Sequence, residues 1–253
     1  MKYEGNYKDG NRWNGKCIEY NNGELIFEGE YIEGKKNGKG KEYYYNGLLG
    51  FEGEYLNGKK WNGKRIEYNN GKIIFKGYFL NGKRGKGKEF TTNDFCEFEG
   101  EYINGKRWKG ILFQYKSLGL IIKIEIINGE KSDLMKEYQY DELIFEGGYK
   151  NLERNGKGKE YKNGELIFEG EYLNGQRHGF GKQFWNKKLK FEGEYINGKR
   201  NGKGKEYNYN DQLIFEGEYI NGKRNGKGKE YSENGELKYE GEYLDGKRLS
   251  QNK

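Results

Sequence analysis

The segment Gly58-Lys-Lys-Trp-Asn-Gly63-Lys64 has the glycine and lysine spacing of a phosphate-binding loop. Arg65 follows where a Ser or Thr would hold the metal, and the segment joins one strand-patterned stretch to another rather than to a helix, so this chemistry is excluded. Paired carboxylates such as Glu216 and Glu218 recur in most parts of the chain. Acid–base work needs one asymmetric pair with pKa values pushed apart, not many similar exposed pairs. His178 is the single histidine, which removes Ser-His-Asp schemes and leaves a Cys-His pair only if it met the distant Cys17 or Cys96. The two cysteines lack metal-ligand spacing, and no cluster of Cys, His or Asp suggests a metal. No catalytic residue, metal or cofactor is expected, and the chain is expected not to be an enzyme.

These residues are carried by a repeat. An aromatic-Glu-Gly-Glu-Tyr phrase, or a variant of it, begins at Tyr3, Phe27, Phe51, Phe75, Phe98, Ile122, Phe145, Phe168, Phe191, Phe215 and Tyr239, in steps of 23 or 24 residues. A fixed period in this range means an array whose units pack mainly on their neighbours. We therefore expect a single array over residues 1–253, about 10.5 repeats with a degenerate copy at 122–144.

In the unit from Leu213 to Glu236, Leu213-Ile-Phe-Glu-Gly-Glu-Tyr-Ile220 alternates with period two, as a half-buried strand does. Leu213, Phe215, Gly217 and Tyr219 share one face, and Glu216 and Glu218 the other. Asn221-Gly222 signals a tight hairpin, because both residues tolerate positive φ. The strand returns through Gly226-Lys-Gly-Lys-Glu-Tyr231. With an even loop, Gly226 and Gly228 fall on the Phe215 face, where a ring can lie across a bare glycine. Glu216 and Glu218 then come opposite Lys227 and Lys229. Asn234-Gly235 makes the second turn. The fold class is all-β: an elongated, twisted, single-layer antiparallel sheet or solenoid of β-hairpin repeats, about two strands per repeat, with essentially no helix.

Composition fits a thin core. Only 32% of the chain is hydrophobic and 34% is charged, but 24 Tyr, 14 Phe and 4 Trp supply large apolar areas at fixed places. The net charge of +7 comes from 47 basic and 40 acidic residues that interleave, so a nucleic-acid footprint is not expected. Free thiols favour a reducing compartment. The array starts at Tyr3, which leaves no room for a leader, and no run is long enough for a transmembrane helix. The expected location is cytoplasmic, with peripheral association at a membrane or cytoskeleton as the alternative.

The phrase resembles the membrane occupation and recognition nexus (MORN) repeat, approximately Tyr-x-Gly-x-aromatic, a short loop, then His/Asn-Gly-x-Gly. Phe168 to Gly181 matches it closely, with His178 in place; Phe191 to Gly204 and Phe215 to Gly228 match with Asn. The resemblance implies a twisted antiparallel β-structure and roles in scaffolding, dimerisation, membrane or phosphoinositide contact, and partner recruitment. A bacterial variant of similar appearance implies an antitoxin- or immunity-like binder.

Departures from the phrase mark the candidate sites. Repeats one, three and five carry an extra Trp (Trp13, Trp61 and Trp108) and lose the second Gly, which becomes Cys17, Arg65 and Leu112. Either these Trp project from hairpin tips as a docking edge, or each folds back over its hairpin; packing is the favoured alternative. Repeat six is aliphatic at Ile122, Ile124 and Ile126, either a partner or dimer contact or a local core, the core being favoured. Lys199, Arg200, Lys223 and Arg224 would line a loop edge able to meet anionic headgroups. The expected function is a scaffold presenting an elongated β surface to protein partners, with a homodimer as one outcome. A module for anionic (phosphoinositide) membrane is the alternative, and an antitoxin- or immunity-like binder the second alternative.

Overall fold

The computed structural model describes residues 2–249 and is nearly all β. The described residues form 22 strands and one short 3-10 turn, Ser117–Gly119. The strands make an open antiparallel sheet of sequential hairpins, not a closed barrel. Two compact units are present. Unit 1 holds the residues up to Gln114 together with Glu125–Ser132; unit 2 holds Tyr115–Ile124 and the residues from Asp133 onward.

A regular repeat of unit 2 shows how sequence becomes register. Strand β19 (Leu213–Ile220) turns at Asn221 (φ 50°) and Gly222 (φ 87°) into β20 (Lys223–Tyr231). Positive φ at both central residues matches the right-handed twist of the flanking strands. Pairing then runs Ile220 to Lys223, Tyr219 to Arg224, Gly217 to Gly228, Glu216 to Lys229 and Phe215 to Glu230. The even-loop expectation holds at Gly228 but not at Gly226. A bulge between Gly217 and Tyr219 sets Glu218 against extra residues, and Gly226 takes φ 71° within it, a place for glycine. Glu218 pairs instead with Lys203 of β18 (Lys199–Tyr207), and Lys227 with Glu242 of β21 (Leu237–Leu244). The second turn has two forms. Asn163-Gly164 is a two-residue turn with both φ positive, whereas Ser232 to Glu236 is a longer loop closed by Ser232 N–H to Glu236 O at 2.8 Å.

One face of the sheet is an aromatic layer. Phe145, Phe168, Phe191 and Phe215 are fully buried in unit 2, as are Phe27, Phe51, Phe75 and Phe98 in unit 1. These rings lie across paired glycines, as at Phe215: a Cβ on Gly217 would meet Phe215 Cζ at 2.7 Å, and one on Gly228 would meet it at 2.6 Å. In unit 2, Tyr172, Tyr195 and Tyr219 are each edge-on to two Phe rings. Tyr219 stands 5.2 Å from Phe191 and 5.6 Å from Phe215, at interplanar angles of 86°. Such pairs contribute about 0.5–1.5 kcal/mol each beyond area burial. A layer one ring thick is thereby stabilised without aliphatic mass.

The irregular repeats keep this layer by shifting register. In β2 (Asn11–Asn21), Trp13 is the bulge residue, so Gly15 rather than Cys17 comes opposite Gly5. Cys17 faces Tyr3 on one side and Gly29 on the other. Arg65 likewise sits between Phe51 and Gly77, and Leu112 comes opposite Phe98. In repeat six, Ile122, Ile124 and Met135 of unit 2 are buried at 1%, 0% and 1% exposure, and Met135 comes opposite Gly147 where a glycine would stand. Lost rings and glycines are replaced there by aliphatic side chains.

Candidate interaction surfaces

Two-residue turns fix what each hairpin edge presents. Lys199 pairs with Ile196 and Arg200 with Tyr195, so the two basic residues point to opposite faces. Lys199 and Lys223 are exposed, and Lys223 Nζ lies 3.4 Å from Asp245. Arg200 and Arg224 instead lie over the aromatic layer, each guanidinium 4.0 Å from the ring centroid of Phe191 or Phe215. They belong to strands rather than loops, and their charge is already committed: Arg200 to Glu206 at 3.3 Å, Arg224 to Glu206 at 2.6 Å and Glu230 at 2.8 Å.

This forms a charge ladder above the rings of unit 2. Glu160 receives Arg177 at 2.5 Å, Arg154 at 3.4 Å and the Tyr172 hydroxyl at 2.9 Å. Burial alone would raise the Glu160 pKa, but Arg177, Tyr172 and Arg154 together hold it below the usual carboxylate value. Glu206 is lowered in the same way, by Arg224, Tyr219 and Arg200 working against burial. The same balance lifts Tyr172 and Tyr219, first by burial and then by the adjacent carboxylate. Unit 1 has its own version: Glu19 takes Arg12 at 3.0 Å, Lys36 at 3.4 Å and the Tyr31 hydroxyl at 2.6 Å. A guanidinium over a ring contributes about 0.5–2 kcal/mol, so this layer serves the fold.

The opposite face is polar. Glu192, Lys205, Glu216, Lys229 and Glu240 follow one another across successive strands, alternating in sign. With the parallel row containing Glu194, Lys203, Glu218, Lys227 and Glu242, and the glycine backbone between, they line a shallow groove of about 950 Å³ in unit 2. Tyr207 and Tyr231 donate to Glu192 at 2.7 Å and to Glu216 at 2.7 Å from its flank.

Between groove and hairpin tips runs an exposed aliphatic row. It is built by the residue just before the first turn of most repeats, a turn that is Asn-Gly or Asp-Gly except at Glu33-Gly34. In unit 2 it comprises Leu173, Ile196, Ile220 and Leu244, at 45–54% exposure, and in unit 1 Ile32, Leu56, Leu80, Ile103 and Ile127, at 41–61%. The exposed Lys199, Lys223 and Lys247 follow these residues across the turns of unit 2. Sequence reasoning missed both the row and the arginine ladder. The signal was available: parity counted from each Asn-Gly turn assigns every flanking residue to a face.

The other candidate residues are placed as follows. Trp13, Trp61 and Trp108 lie within β2, β6 (Lys59–Asn69) and β10 (Lys106–Tyr115) as bulge residues, not at tips. Trp13 and Trp61 are half-buried and Trp108 is 37% exposed. Their carbonyls accept from the next turns, at Gly34, Gly82 and Gly129, at 3.0, 2.8 and 2.8 Å. In regular repeats an arginine carbonyl does this, as when Gly222 N–H donates to Arg200 O at 2.8 Å. Ile122 and Ile124 in unit 2 and Ile126 in unit 1 are buried. His178 is half-buried in β16 (Gln176–Trp185), and Cys17 and Cys96 are free thiols. No helix among the described residues is long and apolar enough to cross a membrane.

No curated protein matches the chain. The family model of the MORN repeat matches residues 27–48, 168–188, 191–211 and 215–236. Each matched segment holds the buried Phe and the opposed glycines described above. Such repeats are generally linked to protein or membrane interaction and are typically non-enzymatic. The chain thus carries MORN repeats at these four positions.

Proposed function

We propose that this protein is a non-enzymatic cytoplasmic scaffold that presents its hairpin edges to partner proteins. The observation that carries this reading is the aliphatic row. In a chain with mean hydropathy of −1.23, the residue before the turn stays aliphatic and about half exposed in repeat after repeat. Exposed apolar residues repeated in register and flanked by polar groups offer an interaction surface that singly scattered ones do not. Flanking lysines and asparagines supply the polar rim.

A photo-crosslinking residue at Ile196 or Ile220 tests it. Partner capture from those positions, and not from Glu216 in the groove, is the expected result. Capture from the groove alone would overturn the choice of surface. The same row beside Lys199 and Lys223 favours one second reading, docking on anionic membrane. Salt-sensitive flotation with phosphoinositide vesicles, lost on changing Lys199 and Lys223 to Gln, would place that reading first.

A further inference from the structure

The arginine ladder of unit 2 contains one irregular rung. Down the ladder, Arg154, Arg177, Arg200, Arg224 and Arg248 alternate with Glu137, Glu160, Gln183, Glu206 and Glu230. Gln183 holds the register of its neighbours: it lies opposite Phe168 on one side and Phe191 on the other, as Glu160 lies opposite Phe145 and Phe168. Five guanidinium groups therefore face four carboxylates, and the missing charge is at Gln183.

The donors that a carboxylate meets at the other rungs are still present. At Glu160 and Glu206 a carboxylate accepts from two arginines and from a tyrosine hydroxyl, Tyr172 or Tyr219, at 2.9 Å. At Gln183 the amide oxygen accepts from Arg200 at 2.9 Å, and nothing more is bonded there among the described residues. The hydroxyl of Tyr195, equivalent to Tyr172 and Tyr219, is buried without a hydrogen-bond partner in a residue only 2% exposed. It lies within the influence of Arg200 and Arg177, which work against the upward push of burial on its pKa. An unsatisfied buried hydroxyl beside surplus positive charge is costly unless an acceptor arrives.

We propose that this rung is a carboxylate-binding site formed by Arg177, Arg200 and Tyr195, with Gln183 as its movable cover. Arg177 and Arg200 each keep 22% side-chain exposure. Gln183 is half-buried and its amide can turn outward to yield the place. The incoming group accepts from both arginines and from the Tyr195 hydroxyl, repeating the donor set of Glu160 and Glu206. Planar, bidentate acceptors suit paired guanidinium groups, which is the reason to assign a carboxylate. Its source is either a small free carboxylate or the Asp or Glu side chain of a protein. The site faces away from the aliphatic row and stands independently of it.

The test follows the side-chain Nε–Hε signals of the arginines in the full chain by NMR. Sodium acetate and a capped Gly-Glu-Gly peptide are titrated against sodium chloride at equal ionic strength. Saturable shifts of Arg177 and Arg200, with Arg224 still, are expected. They should vanish in Gln183→Glu, which supplies the carboxylate internally, and weaken several-fold in Tyr195→Phe. Saturation by acetate with no response to the peptide identifies a free anion; a peptide response equal to acetate or stronger identifies a protein side chain. Equal shifts at Arg224, the same response to chloride, tighter binding of phosphate than of acetate, or shifts that persist in Gln183→Glu would each overturn the assignment.

Discussion

Replacing Gly217 by Val probes the feature on which the aromatic layer depends. The added Cβ would stand 2.7 Å from Phe215 Cζ, 2.8 Å from Gly228 Cα and 2.8 Å from the Lys227 carbonyl oxygen. Relief requires the ring to retreat, but Phe215 is fully buried. Tyr219 and Tyr243 stand edge-on at 5.6 and 5.2 Å, and Arg224 caps it at 4.0 Å. The other two contacts are backbone and have no rotamer to change. Overpacking of this kind costs about 1–3 kcal/mol, and the enclosed ring places the variant near the upper end. Val recovers up to about 1 kcal/mol through strand propensity, which leaves a net loss of about 2 kcal/mol. For a chain of this size that lowers the thermal midpoint by about 4–8 °C. Urea unfolding at unchanged slope is the companion measurement. Glu218→Gln is the control, since Glu218 is exposed on the polar face and its loss of charge should stay within about 0.5 kcal/mol. Equal losses from the two variants would mean that the glycine–ring contact is not what sets this layer.

Acid should weaken unit 2 through its ladder. Glu160, Glu206 and Glu230 are held below their usual pKa, so their contribution is present above about pH 4.5 and is lost as pH falls through the folded values; urea midpoints measured against pH should show the decline, and Glu160→Gln should flatten it. Alkali acts with the opposite sign: burial, then the bond to Glu192, pushes Tyr207 up to about 12, and the bond to Glu216 does the same for Tyr231. Stability from these phenols is complete below pH 10 and is lost towards pH 12, which phenolate absorbance measured beside unfolding should show. Changing Trp13, Trp61 and Trp108 together to Ser should lower stability, by about 1–2 kcal/mol for each half-buried ring. A triple variant that melts like the parent but loses association would instead make the Trp series the docking residues.

The fold was legible because each local signal agrees with the others. Period-two alternation, Asn-Gly turns and rings paired with glycines all specify one antiparallel hairpin, and nothing in a regular repeat argues for another structure. The bulge was harder to read. Asn225-Gly226 looks like a turn in sequence, yet it lies inside β20, where Gly226 uses its positive φ to absorb extra residues rather than to reverse the chain. The same chemistry serves turn and bulge, and only the partner strand decides between them.

The interaction surfaces were less legible because neighbouring residues of like charge have unlike fates. Lys199 and Arg200 read as two equivalent loop cations, but a two-residue turn makes them successive strand residues, and successive strand residues face opposite ways. Lys199 therefore remains exposed, while Arg200 is drawn onto Phe191 and into the ladder. Interleaved charge thus has two physical roles. On the polar face it gives register and solubility. Over the rings it neutralises groups that burial would otherwise penalise. In such an array a single neutral substitution matters more than a surface count of charges would suggest: Gln183 differs from Glu160 by one amide, yet it accepts from one arginine where Glu160 takes two arginines and a tyrosine.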